Sequence, residues 1–355
     1  MENTSTSEPI YLVPIQWDWR PIIQLILAII GIIGNSIVIH VYLRSRKLIK
    51  SSTNTLIAAL AIADLITSIC IIPHPLLSRV PNTTAGHFYC KVVYSSNIMW
   101  VSIVASIFTL TAVSVERFVA IRYPSRYRSL LNLKVTRIII VSIWLTAFII
   151  NTFSYYVTHL HQGQCIIEFP SMGFQIFLGT SLFLIEYLIP MIIMLIANVR
   201  TIQILQEQGR NLSGEKGSPK SLATMSVLRA RRRVIIMLLI VIVSFVICWS
   251  PDQFAFLVFN WGLVPFKYLF GNLYRFFVVL AFANSCVNPI IYLFVNKNFR
   301  EAIRQQLPLS LRSSRKYKEN TLFEVPFDDS ATKVSTNAVS QSHSDIDMKE
   351  MEKGH

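Results

Sequence analysis

Seven apolar windows, each long enough to cross a lipid bilayer, constrain this chain more than any motif in it. Residues 22–43 (IIQLILAIIGIIGNSIVIHVYL), 92–115, 138–158 and 276–296 contain no Asp, Glu, Lys or Arg. Residues 55–78, 169–199 and 234–260 contain one each, Asp64, Glu186 and Asp252. A helix needs about 20 apolar residues to span the hydrocarbon core. Lipid offers no partner to an unpaired backbone amide or carbonyl, which leaves helices or closed barrels. Barrel strands would alternate polar and apolar residues at every second position, and these windows do not. The chain reads as an all-α membrane protein, a seven-transmembrane helix bundle over residues 22–296. Its charged fraction of 15% lies well below the roughly 25% of soluble domains, and the windows account for the difference.

The net charge of +14 would suit a nucleic-acid binder if it were spread over a soluble surface. Its distribution says otherwise. Segments 44–54, 116–137 and 200–233 hold 4, 6 and 8 Lys/Arg, whereas 1–21, 79–91, 159–168 and 261–275 hold 1, 2, 0 and 2. The basic set belongs in the cytoplasm, so the N-terminus (1–21) is expected outside and the C-terminus inside. The basic excess is a topology signal and calls for no nucleic acid. The polar start MENTSTSEPI has no secretory signal, so helix 1 is expected to act as an uncleaved signal-anchor. Sequons at Asn3 and Asn82 fall outside, where glycans can be added, while that at Asn211 falls inside. Cys90 and Cys165 are the two cysteines at the outer face. In an oxidising compartment such a pair is expected to form a disulfide, the alternative being two free thiols.

The longest internal loop, 204–228, contains GRNLSGEKGSPK, whose Gly, Ser and Pro mark a flexible segment. After helix 7, residues 297–307 place Phe299, Ile303 and Leu307 on one face and Arg300 and Arg304 on another. That pattern is a short amphipathic helix lying on the membrane lipids. Residues 308–355 are Ser/Thr-rich with scattered acids, too polar to bury a core, and read as a disordered cytoplasmic tail.

Ionisable groups inside a membrane are costly and mark functional candidates. Asp64 sits mid-helix, and Asn35, Ser106, Asn284, Ser285 and Asn288 are polar residues able to join it. One carboxylate with several neutral oxygens describes a monovalent cation site; the alternative is a hydrogen-bond network that only packs helices. Prolines interrupt several spans: Pro73 and Pro75 in helix 2, Pro190 in helix 5, Pro251 in helix 6 and Pro289 in helix 7. Each removes a backbone donor and permits a kink. Phe245 and Trp249 share a face just below Pro251, placed to couple a ligand above to movement below, or simply to pack. The pair Glu116–Arg117 follows an uncharged window at the inner end of helix 3. Arg117 either snorkels to the interface or forms with Glu116 a polar latch, with the basic cluster RARRR (229–233) on helix 6 as the receiver of movement.

Taken together, these motifs resemble the rhodopsin-like (class A) family of G protein-coupled receptors over about residues 20–305. They are Gly34-Asn35, LAIAD (Asp64), ERF (Glu116, Arg117, Phe118), Trp144, CWSP (Trp249, Pro251) and NPIIY (Asn288, Pro289, Tyr292), in order on six helices. The resemblance implies a sodium pocket at Asp64, Ser106, Asn284, Ser285 and Asn288, with sodium as an allosteric modulator and no other cofactor. It implies Trp249 as a toggle, Arg117 as the group that meets the heterotrimeric G protein, and Tyr292 as a support of the open state. It implies the disulfide Cys90–Cys165, and a tail that a receptor kinase phosphorylates and arrestin binds. Three departures stand out. Glu116-Arg117-Phe118 replaces Asp-Arg-Tyr; Cys90 lies two residues farther from Arg117 than is usual, suggesting an extra half-turn; and Asn198 stands where the family has a helix 5 tyrosine.

Met99 occupies the position of the amine receptors' aspartate and Phe282 that of the opsins' lysine, so neither subclass fits. Peptide, lipid or nucleoside ligands remain. Glu186 lies one turn before Pro190 and Asp252 directly after Pro251, so both are expected near the pocket. Apolar walls are expected from Met99, Trp100, Phe254, Phe277 and Phe282. A polar rim is expected from His159, His161 and Glu168 with Tyr274 and Arg275. The two acids point to a neuropeptide with a basic group; the alternative is that Glu186 faces a neighbouring helix or headgroups. The stretch VSIFTLTAVSVERFVAIRYP resembles peptide receptors of the galanin and allatostatin kind. A transporter would route ions through Asp64, Glu186 and Asp252, but no inverted repeat is visible between the halves. A membrane hydrolase would need clustered histidines or a nucleophile beside a base, and none is visible, so no enzyme is expected.

Overall fold

The computed structural model describes residues 11–213, 221–265, 267–268, 271–295 and 302–303. Seven helices in it are long and apolar enough to cross a membrane. They are α1 (Trp19–Arg44), α2 (Ser52–Cys70), α3 (Asn97–Arg122), α4 (Leu133–Asn151), α5, α6 (Ser221–Asn260) and α7 (Asn272–Val295). α5 is built of Met172–Leu182, a π-helical segment Phe183–Leu188, and Ile189–Ser213. Their starts follow local chemistry. Asp18, Ser51, Asn132 and Ser171 each turn a side-chain oxygen onto a first-turn amide of α1, α2, α4 and α5, satisfying a donor that the helix cannot.

The bundle is apolar on the outside, as lipid demands. On α1, Ile22, Ile26, Ile29, Ile33 and Ile37 are exposed, while Ala28, Gly31, Asn35 and Val38 face the interior. Small residues inside let helices approach closely. A Cβ on Gly34 would sit 2.8 Å from Pro289 Cγ of α7, so the glycine is what admits that contact. α3 runs through the middle and packs against α2, α4 and α5.

Several elements differ from the sequence expectation. α2 ends at Cys70, so Pro73 and Pro75 do not kink it; they lie in the turn before a short strand, β2 (Leu76–Leu77). A residue preceding proline is pushed out of the helical region, and Ile72 and His74 both precede one. The loop expected over 204–228 is shorter, because α5 continues to Ser213 and α6 begins at Ser221. Helix does not stop where apolarity stops, since residues such as Gln206 and Glu207 are good helix formers in water. Of the expected surface helix 297–307, Ala302 and Ile303 are helical and packed against the core; its other residues lie outside the described ones.

The two extra residues between Cys90 and Arg117 are absorbed above α3. Tyr89–Tyr94 forms a π-helical segment, and Ser96 then adopts a left-handed conformation at φ 54° before α3 begins. The expected half-turn is thus a wider turn followed by a break. Across the same face, β1 (Leu12–Val13) pairs antiparallel with β2, and β3 (Thr158–His161) with β4 (Gln164–Ile167). Cys90 and Cys165 form a disulfide, Cα–Cα 5.3 Å, that ties β4 to the top of α3. Because it closes a separation of 75 residues, Cys165→Ala is expected to destabilise the fold by about 2–4 kcal/mol. Thermal unfolding of the purified full-length chain checks this by a lowered midpoint.

Candidate functional site

The middle of the bundle is organised around Asp64 of α2, fully buried. Ser106 of α3 donates to its Oδ1 at 2.7 Å, and Asn288 of α7 donates through Nδ2 to its Oδ2 at 2.8 Å. Ser285 also faces this carboxylate, and Asn284 is buried on the same helix. Asn35 of α1 donates to the Ser285 carbonyl at 3.1 Å, while its own Oδ1 is buried without a partner. All five residues expected around one carboxylate are therefore buried, and Ser106, Ser285 and Asn288 reach it. The node holds one carboxylate among neutral hydroxyl and amide groups, with a hydroxyl and an amide N–H donating to it.

Trp249 and Phe245 of α6 are buried, with Cys248 beside them, in the cluster that also holds Phe282 and Met99. The Phe245 ring stacks on Tyr187 of α5 at 6.0 Å. Pro251 sits inside α6 two residues beyond Trp249, and Pro289 inside α7 just after Asn288. The backbone of Tyr292 is helical, and its side chain lies outside the described residues.

At the inner end of α3, Glu116 is 2% exposed. Its Oε2 lies 3.8 Å from Arg117 Nε. Thr53 of α2 and Tyr127 both donate short hydrogen bonds to its Oε1. Tyr127 lies on a helical turn, Pro124–Leu130, that Pro124 opens at a position suited to proline. Burial, and after it the Glu116 carboxylate, push the Tyr127 phenol up to about 12. Its folded value is raised, so the contribution of this bond is complete below about 10 and lost only as pH climbs through about 12. The phenol is a donor at every physiological pH.

Thr53 and Tyr127, the donors to Glu116, were not singled out by the sequence. Thr53 lies 63 positions from Glu116, and only the fold brings it near; the cue for Tyr127 was Pro124. Asn198 departs from the family in a defined way. Wholly buried on α5, it donates to Ser114 of α3 at 3.3 Å and to the Met194 carbonyl at 2.8 Å, leaving its Oδ1 without a partner. It ties α5 to α3.

The outer half holds the expected ligand residues. Met99 and Phe282 are buried, and Trp100, partly buried, packs against the cluster that contains them. Asp252 is buried on the α6 face that carries Trp249, and Tyr274 of α7 is within its electrostatic reach. Phe277 lies on α7, its ring 6.2 Å from Phe276. Glu186 lies in the π-helical segment of α5, its Oε1 buried without a partner. Phe254 stands apart. It is 52% exposed and lies against Phe183 and Tyr187 on the lipid side of the α5–α6 seam, because two residues along a helix turn the side chain to the opposite face from Asp252. Of the expected rim, His159 and His161 are exposed on β3 and Glu168 follows β4, while Arg275 pairs with Asp18 at 4.0 Å.

This arrangement, seven spans with a buried polar node and a closed charged pair below, defines a membrane receptor. Residues 34–292 match the family model described as 7 transmembrane receptor (rhodopsin family). The chain belongs to that family; it is a multi-pass plasma membrane receptor and not an enzyme. It is 33% identical to galanin receptor 2b of Danio rerio over 86% of this chain and 80% of that protein. It is 31% identical to the allatostatin-A receptor of Bombyx mori (80% and 78%) and 27% identical to neuropeptide Y receptor type 6 of Mus musculus (78% and 76%).

Each donor to Glu116 ties a neighbouring segment, α2 or the turn after α3, to the inner end of α3. A hydrogen bond to a charged group contributes about 1.5–3 kcal/mol, so losing one shifts the closed-to-open ratio by about tenfold or more. Tyr127→Phe and Thr53→Ala are each expected to raise ligand-free nucleotide exchange, measured with purified G protein in nanodiscs.

Proposed function

We propose that this receptor binds an extracellular neuropeptide and promotes nucleotide exchange on heterotrimeric G proteins. The observation that carries the reading is the two-ended bundle: aromatic and acidic residues gathered in the half above Trp249, and below it the Glu116–Arg117 pair at the inner end of α3. The relatives named for galanin, allatostatin-A and neuropeptide Y supply the ligand class. A peptide bound outside favours an outward swing of the inner part of α6, uncovering Arg117 for the G protein. Such action requires the peptide to bind the open state more tightly than the closed one.

The N-terminus lies outside and the C-terminus in the cytoplasm. Support comes from the disulfide, which belongs to the oxidising side, and from the basic segments at the opposite end. Asn82 is exposed beside the helix Thr84–Phe88, accessible to glycosylation, as Asn3 is by sequence. The Ser/Thr-rich tail 308–355 is the substrate of a receptor kinase and the docking segment for arrestin. Sodium, held by Asp64, Ser106, Asn284, Ser285 and Asn288, stabilises the closed form, and the charge it places there is balanced by Asp64.

Exchange on a panel of purified G proteins, with the full chain in nanodiscs and galanin, allatostatin-A and neuropeptide Y peptides as probes, tests the reading. Stimulation by a peptide supports it; stimulation only by lipids or nucleosides replaces the ligand. Raising sodium from low to physiological concentration is expected to weaken agonist potency several-fold, and Asp64→Asn to abolish that dependence. An unchanged sodium response in Asp64→Asn would remove the ion site.

A further inference from the structure

Four carboxylates lie in the spans, Asp64, Glu116 and Asp252 buried and Glu186 half-buried, and they divide into two kinds. Asp64 has donors on both oxygens, and Glu116 has Thr53, Tyr127 and Arg117 around it. Glu116 Oε2 also lacks a hydrogen bond, but Arg117 Nε stands 3.8 Å from it; among the described residues no ion pair reaches Glu186 or Asp252. Glu186 Oε1 and Asp252 Oδ1 are buried with no hydrogen-bond partner, and the neighbouring Gln253 reaches Asp252 Oδ2 only at 3.5 Å. A buried polar atom without a partner is rare enough to require a reason.

Nothing described in the chain supplies the missing charge. Among the described residues the ion pairs are Glu116–Arg117 and Asp18–Arg275, and the seven windows hold no Lys or Arg. Nor do the described residues gather three His, Cys, Asp or Glu as a metal would require. Both acids face the outer half of the bundle. Asp252 stands one helical turn above Trp249, with Gln253 buried next to it and Tyr274 across from it on α7. Glu186 comes from the other wall, in a segment whose Phe183 and Tyr187 abut α6. The helix is already loosened there. Ile189 bonds back five residues to the Leu184 carbonyl, and Pro190 has no amide to offer.

We propose that Asp252, buried with an unpartnered oxygen, is the seat of a cationic group, a guanidinium or ammonium, carried by the activating peptide, with Glu186 of α5 as a second acid in the same half of the bundle. This rests on the receptor reading above and names the chemistry its pocket selects. Arginine suits the seat better than lysine, because its planar fork can donate two parallel N–H bonds to a single carboxylate. A peptide without that group leaves both oxygens unpaired, so the pocket discriminates by what it leaves unsatisfied.

The test uses the full-length receptor in nanodiscs with G protein and two amidated peptide libraries. They are identical except that citrulline replaces every arginine in one, keeping the shape and removing the charge. Arginine members are expected to be at least about thirtyfold more potent than their citrulline twins. The double variant Asp252→Asn with Glu186→Gln is expected to erase that difference while unfolding at or above the wild-type midpoint. Equal potency of the twins on the wild type, or a difference that survives in the double variant, overturns the proposal. If no peptide drives exchange, arginine amide and citrulline amide are compared by thermal unfolding. A saturable rise with arginine amide alone, lost in the double variant, supports the seat; equal or absent shifts overturn it. Exchange driven by citrulline members alone sinks the seat and leaves the receptor reading intact. Exchange that stays absent even in Tyr127→Phe, without peptide and with it, sinks the receptor reading instead.

Discussion

A carboxylate in the middle of a lipid-spanning bundle has to be hydrogen-bonded by its neighbours, and Asp64 sets how four of the seven helices meet. It receives Ser106 from α3 and Asn288 from α7. Asn35 of α1 ties to the Ser285 carbonyl of the same α7 segment. Helices in lipid gain nothing from hydrophobic burial against one another, so small residues and interhelical hydrogen bonds carry association. Gly34 against Pro289 and the Asp64 node are these two contributions side by side. Trp249 and Phe245 lie in the same core, so any change in how α6 packs is felt around the node.

The polar groups follow a gradient from inside to outside. At the inner end, Glu116 is held by residues from α2 and from the turn after α3, and Asn198 links α5 to α3. At the outer end, two acids have oxygens that nothing described in the chain meets. Unpartnered polar atoms remain at both ends, Glu116 Oε2 and Asn198 Oδ1 inside and Glu186 Oε1 and Asp252 Oδ1 outside. Completing the outer end changes the balance at the inner one only if the two ends share a moving part. α6 is the candidate for that part, since it carries Asp252, Trp249 and Phe245 and holds Pro251 within a continuous helix.

Much of this was legible in the sequence, and the rest was not for identifiable reasons. Seven apolar windows forced seven helices, and Asp64, Ser106 and Asn288 were readable as polar residues at membrane depth. Helix ends were less readable. Hydropathy marks the bilayer, whereas α5 and α6 extend into water and α2 stops short at a pair of prolines. Both π-helical segments were invisible, because a wider turn leaves an apolar window looking the same. Only the spacing from Cys90 to Arg117 hinted at the first. Thr53 and Tyr127 reach Glu116 through tertiary folding, which no local pattern records. Phe254 was misplaced because adjacency in sequence to Asp252 does not mean a shared helical face.

The central claim is that the Glu116 network restrains an outward movement of α6. The most direct measurement is the distance distribution between spin labels at Lys134 on α4 and Ile236 on α6, by pulsed electron resonance in nanodiscs. In the ligand-free receptor the account predicts a short distance. It predicts a longer population in Tyr127→Phe, matching the one that agonist and G protein induce in the wild type. Identical distributions in the wild type and Tyr127→Phe, with agonist and G protein still lengthening the distance, would contradict it.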